Sequence, residues 1–147
     1  MIEQPFSQPI RQKSLRSYDA GELLFKNRFY DHGVHASYNA VVQLFLHIIH
    51  ELKGVTEKEL QNQLTHRPQN TGTHQVCCEL VLKKIEFDSP VQYRILKKKI
   101  EILKWLRVQA DYFPLQCQEK DCKRALSLAT DIWNELKRYY QIGGRLI

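Results

Sequence analysis

The feature that most restricts the fold is the run from about Asp31 to Leu52, where Val34, Tyr38, Val41, Val42, Phe45, Ile48, Ile49 and Leu52 recur at intervals of three and four. That period puts them on one face of an α-helix. So wide an apolar face must be covered by other segments, and the remaining patterned stretches repeat at the helical period too. Six Gly and five Pro in 147 residues leave little material for a turn-rich sheet protein. The expected fold class is therefore all-α, an up-and-down bundle of four long helices plus a short extra helix, with 1–147 forming a single domain.

Pro5 and Pro9 predict an irregular arm over 1–11. Helix one then spans Gln12 to Asn27, with Leu15, Tyr18, Leu23, Leu24 and Phe25 recurring loosely at the helical spacing. Gly54 marks the end of the Asp31–Leu52 helix, and Thr56-Glu57-Lys58-Glu59 reads as a capping box that opens the short helix. This helix fails near Arg67-Pro68-Gln69-Asn70-Thr71-Gly72. A further helical segment begins near Thr73 and carries Val76, Leu80, Val81 and Ile85. Asp88-Ser89-Pro90 starts a long helix to Tyr112, lined by Tyr93, Leu96, Ile100 and Leu103. Pro114 ends it. The last helix, Glu119 to Tyr140, buries Cys122, Ala125, Ala129, Ile132, Trp133 and Leu136, and 141–147 form a frayed tail.

No stretch approaches the roughly 20 apolar residues that cross a bilayer, and the N-terminus lacks the pattern of a secretory signal. A cytoplasmic protein is expected, with no membrane association and with Cys77, Cys78, Cys117 and Cys122 as reduced thiols. A formal charge of +6 favours an acidic partner or RNA phosphates, although charge spread over several helices serves solubility as well. The run Lys97-Lys98-Lys99 with Lys104 splays over the outer faces of its helix.

Three separated segments together resemble the HEPN family, in particular its small stand-alone members encoded beside a minimal nucleotidyltransferase. The first is Ala20-Gly21-Glu22-Leu23-Leu24, followed by Arg28-Phe29-Tyr30 and Ala36-Ser37-Tyr38-Asn39-Ala40. The second is Thr73-His74. The third is Leu106-Arg107-Val108-Gln109-Ala110-Asp111-Tyr112 with the final helix beyond it. The resemblance implies a helical homodimer with an RNA-binding cleft between protomers, a role in a toxin–antitoxin or defence-type system, and a nucleotidyltransferase partner protein. Many members of that family are metal-independent ribonucleases that use an Arg followed, after four to six residues, by a His.

Here the motif is incomplete. No histidine follows His74, and Arg107 is followed at the matching distance by Tyr112, a poor general base at neutral pH because its pKa is about 10. Arg28 with His35 and Arg67 with His74 match the spacing elsewhere in the chain. The sequence thus leans away from catalysis, and a non-catalytic protein–protein interaction module is the alternative reading. Arg107, Asp111 and Tyr112 are the catalytic candidates, and Arg107, Tyr112, Ser37, Tyr38, Asn39 and His74 the RNA- or ligand-binding ones. Arg107 lies on the apolar stripe of its helix and needs a carboxylate, from Asp111 at i+4 or from Asp19 or Asp131. His32 with His35 and His47 with His50 share helix faces, but neither pair nor the cysteines complete a metal-ligand set, so no metal and no cofactor are expected. Phe25, Phe29, Trp105 and Phe113 lie off the main stripes, as a dimer would require.

Overall fold

A computed structural model of the chain describes residues 7–66 and 72–142, with backbone alone for 7–10. Six α-helices account for the architecture: α1 (Ser7–Lys26), α2 (Tyr30–His47), α3 (Glu57–Thr65), α4 (Thr73–Asp88), α5 (Pro90–Tyr112) and α6 (Glu119–Tyr139). No strand occurs among the described residues. None of these helices is long and apolar enough to cross a membrane. Five of the six have 16 or more residues, one more than expected, because the segment after Thr73 is itself a full helix that buries Val76, Cys77, Val81, Leu82 and Ile85.

The bundle is built around α2. Val34, Val41 and Phe45 are buried there and, with Ile48 and Ile49 just beyond its end, join Leu96, Leu103, Ile132, Trp133 and Leu136 in one apolar cluster. α1 packs along α2 through Ser14, Tyr18 and Gly21. The buried Ser14 hydroxyl donates to the Ala40 carbonyl (2.6 Å) and accepts from the Trp133 indole N–H (2.9 Å), tying three helices together. Gly33 sits where α2 meets both α1 and α6. A Cβ there would lie 2.5 Å from the Cys122 Sγ, so only glycine allows this approach.

Several local expectations change. The irregular arm does not extend to residue 11, since α1 starts at Ser7 and Pro9 falls in its first turn, where the missing N–H has no intrahelical partner to lose. Residues 1–6 lie outside the described part. Leu23, part of the loose apolar repeat of α1, is 62% exposed, because the inner stripe of the helix runs through the 14, 18 and 21 positions. Leu52 is exposed as well. The end of its helix widens into a π-turn over Ile48–Leu52, where Lys53 N–H bonds the Ile48 carbonyl (3.0 Å), and the register of the following residue slips off the core. Gly54 then closes the element at φ +65°.

The tight connections come from helix-end motifs. At the end of α1, Phe29 N–H bonds Leu24 O and Arg28 N–H bonds Phe25 O, with Arg28 in the left-handed region at φ 66°. The same double bond closes α6, where Ile142 and Gln141 N–H reach Lys137 and Arg138 carbonyls. The frayed tail therefore does not begin at 141, for Ile142 is buried against the core; Gly143, Gly144 and Arg145 lie outside the described residues. The Thr56 hydroxyl accepts from Glu59 N–H (3.1 Å) at the start of α3, as its sequence predicts. Ser89 with Pro90 opens α5 where expected, though the serine side chain makes no capping bond.

Candidate functional site

Arg107 is carried three residues before Ala110 on the inner side of α5, where the helix turns past α2 and α4. Its side chain is 27% exposed, so it is neither sunk in the core nor free in solvent. Its guanidinium carbon stands 5.1 Å from the centre of the Tyr38 ring of α2, a cation–π contact on a buried aromatic face. Its Nε lies 3.1 Å from Asp111 Oδ2. That contact is an ion pair without hydrogen-bond alignment, and the buried Nε–H is left without a hydrogen-bond partner. Of the carboxylates considered for Arg107, Asp111 is the one paired with it; Asp131 pairs with Lys99 (3.3 Å).

Two histidines flank this centre. The other oxygen of Asp111 accepts from Nδ1 of His35 on α2 at 3.2 Å. On the opposite side, the Tyr38 hydroxyl meets Nδ1 of His74 at the start of α4, 2.9 Å away. Burial pushes the Tyr38 phenol up to about 12, outweighing the nearby Arg107 charge, so the hydroxyl keeps a proton that it can donate. Burial also lowers the His74 pKa, with further lowering from the charges of Arg107, Lys104 and His35. A neutral His74 that accepts at Nδ1 carries its proton on Nε2. His35, donating through Nδ1, has Nε2 as its acceptor when neutral. Arg107 and Lys104 against the one carboxylate of Asp111 leave the centre positive even with both imidazoles neutral.

The Tyr38–His74 end opens into a groove of about 860 Å³ between α4 and α5, floored by Phe45, Leu82 and Ile100. Its rim alternates Lys83, Lys97 and Lys104 with Glu79, Glu86 and Glu101. Positive charge is therefore concentrated at the Arg107 end, while the rest of the groove is mixed. Lys97 lies over the Tyr93 ring, 5.6 Å from its centre.

The other candidates lie apart from this cluster. Ser37 is buried, donates to the Gly33 carbonyl (2.8 Å), and faces Gly21 at the α1–α2 crossing. Asn39 is half-buried, one position round α2 from Tyr38. Tyr112, 76% exposed, ends α5 pointing into solvent. Arg28 is at the α1–α2 junction, a turn and more before His35, and Arg67 lies outside the described residues. His35 is the residue that the Arg107 motif alone does not reveal. Its sequence signals are the pairing with His32 and the spacing match with Arg28, which names the right histidine beside a different arginine.

Among the described residues, no three His, Cys, Asp or Glu side chains are grouped so that they could hold a metal ion. His50 Nδ1 instead donates to the Val55 carbonyl (2.6 Å), and His32 is largely exposed beside Asp31. All four cysteines are free. Burial raises the thiols, Cys77 and Cys117 to about 11 and Cys78 and Cys122 to about 12, which keeps them protonated at neutral pH.

No family model, curated protein or solved structure matches this chain.

Proposed function

We propose that the chain is a HEPN-like helical protein that binds single-stranded RNA, with the Arg107 centre as its phosphate contact. One observation carries the reading: a guanidinium held on the Tyr38 face, with an unbonded Nε–H and one shared carboxylate, between two histidines whose Nε2 atoms are not engaged with Asp111 or Tyr38. Planar guanidinium donors suit phosphate oxygens, and Lys104 adds a second cation close by. From the sequence resemblance the proposal also takes a toxin–antitoxin or defence-type role and a nucleotidyltransferase partner.

The same centre favours a second reading, metal-independent cleavage of that RNA. His35 in its neutral form, oriented by Asp111, presents an acceptor nitrogen, and a neutral His74 that accepts the Tyr38 proton at Nδ1 presents a donor, which is the pairing acid–base chemistry requires. Anisotropy titrations of a labelled single-stranded RNA separate the possibilities. The parent should bind with a salt-dependent affinity, and Arg107→Gln should weaken binding while reducing the salt slope by about one. Equal binding by parent and variant would remove the proposal. Cleavage of the RNA in the same samples, lost in His35→Gln, would establish the second reading; intact RNA throughout would leave binding alone.

A further inference from the structure

α4 and α5 form a helical hairpin with Ser89 alone between them, and the first turn of α4 comes to lie beside the last turns of α5, where His74 feels the charges of Lys104 and Arg107. Between the two helices runs the groove of about 860 Å³. Small-molecule sites between the helices of a bundle occupy roughly 300–1,000 Å³, so the groove is of ligand size. Its floor of Phe45, Leu82 and Ile100 is buried, and Cys78, Leu80 and Tyr93 wall it with half-buried side chains. The apolar track has a definite length. Leu82 is eight residues along α4 from His74 and Tyr93 eleven residues along α5 from Lys104, which gives roughly 12–17 Å.

The charges of the rim are unevenly matched. Lys83 stands one helical turn from both Glu79 and Glu86 on α4. Lys97 lies over the Tyr93 ring, and Glu101 and Glu86 both act on its charge. Lys104 makes no ion pair among the described residues, although Glu101 is only three residues away on the same helix. Beside it, the His74 ring is engaged by Tyr38 through Nδ1, which leaves Nε2 for another partner. One end of the groove thus offers an ammonium and an imidazole nitrogen, while the remainder is an apolar floor under a balanced rim.

We infer that the groove binds a free, medium-chain monocarboxylic acid, with the alkyl chain along Phe45, Leu82 and Ile100 and the carboxylate between Lys104 and His74. The carboxylate accepts from the ammonium and from the Nε2–H of the His74 tautomer that takes the Tyr38 proton at Nδ1. Charge fixes the direction. A reversed ligand would set its carboxylate near Glu86 and leave its apolar end against Lys104. The chain supplies affinity and the head supplies orientation, the division found in apolar sites with few polar groups. The site shares Lys104 and His74 with the proposed RNA contact, yet it needs no RNA to form.

Isothermal titration calorimetry of the RNA-free full chain with hexanoate, octanoate and decanoate tests the inference. Binding should saturate at one acid per chain, and each step along the series should tighten it roughly tenfold, as burial of two further methylenes does. Affinity that does not rise with chain length overturns the proposal, whatever the chain does with RNA. Lys104→Gln, at an exposed position, should weaken octanoate roughly tenfold and leave octanol unchanged, with circular dichroism showing an intact fold. Equal effects on the two ligands, or none on octanoate, overturn the carboxylate seat. The His74 ring signals in NMR should move with saturation by decanoate; decanoate that saturates without moving them is bound elsewhere, and the groove assignment fails. Capture of the chain by vesicles of anionic phospholipid without binding of free decanoate also overturns the inference, because the acyl chain would then come from a membrane.

Discussion

Removing the Arg107 side chain distinguishes a packed ion pair from an exposed phosphate contact. Arg107→Ala loses three things: the contact with the Tyr38 ring, the ion pair with Asp111, and the packing of the aliphatic stem. A partly exposed cation–π contact contributes about 0.5–1 kcal/mol. The ion pair, with both partners about a third exposed, is screened by solvent and adds roughly 0.3–0.5 kcal/mol. Asp111 is not stranded by the change, since it is itself exposed and keeps His35. Relief of the unbonded Nε–H offsets part of the loss. The net cost should be about 1–2 kcal/mol, well short of the roughly 3–5 kcal/mol that follows when a fully buried pair is broken. For a chain of this length that lowers Tm by about 2–8 °C, while the affinity for single-stranded RNA falls and its salt dependence becomes shallower. Scanning calorimetry and anisotropy on the same preparation give both numbers. A Tm loss well above about 10 °C, with RNA affinity unchanged for the folded protein, would show that Arg107 is a structural residue only.

Three further outcomes follow from the packing and the titrating groups. Because His74 has a lowered pKa in the fold, the unfolded chain takes up a proton first as the pH drops, so stability should be full above the ordinary histidine value of about 6.5 and decline below it; Tm measured at successive pH values should fall on acidification, and less steeply in His74→Gln. Gly33→Ala drives a methyl group into the Cys122 Sγ and should cost about 1–3 kcal/mol in urea unfolding, with Cys122→Ala in the same chain recovering most of it. Arg28→Gly, at φ 66°, removes left-handed strain and should raise stability by up to about 1 kcal/mol; a lower midpoint would mean that the Arg28 side chain makes a contact outweighing the strain.

Local chemistry made much of the fold legible. The spans of α5 and α6 follow from Pro90, Pro114 and an apolar period that each helix keeps throughout, and the start of α3 follows from Thr56 with Glu59. The misreadings arise where one helix obeys two constraints. Pro9 resembles a breaker until it is placed in a first turn, and Leu52 fits the repeat of α2 until the π-turn shifts the register. The candidate site was legible only in part. Arg107 with Asp111 is an i,i+4 pair, readable from spacing alone. The contacts of His35 with Asp111 and of Tyr38 with His74 span 76 and 36 residues, and no local pattern encodes such distances.

The proposed seating of RNA at Arg107, between His35 and His74, is read by ring-resolved NMR of the histidines during titration with a single-stranded RNA oligonucleotide. The His35 and His74 ring signals should shift together and saturably with the RNA, while those of His32, His50 and His66 stay in place. Saturable shifts confined to the latter three, or none at any histidine under conditions where the RNA is bound, would contradict it.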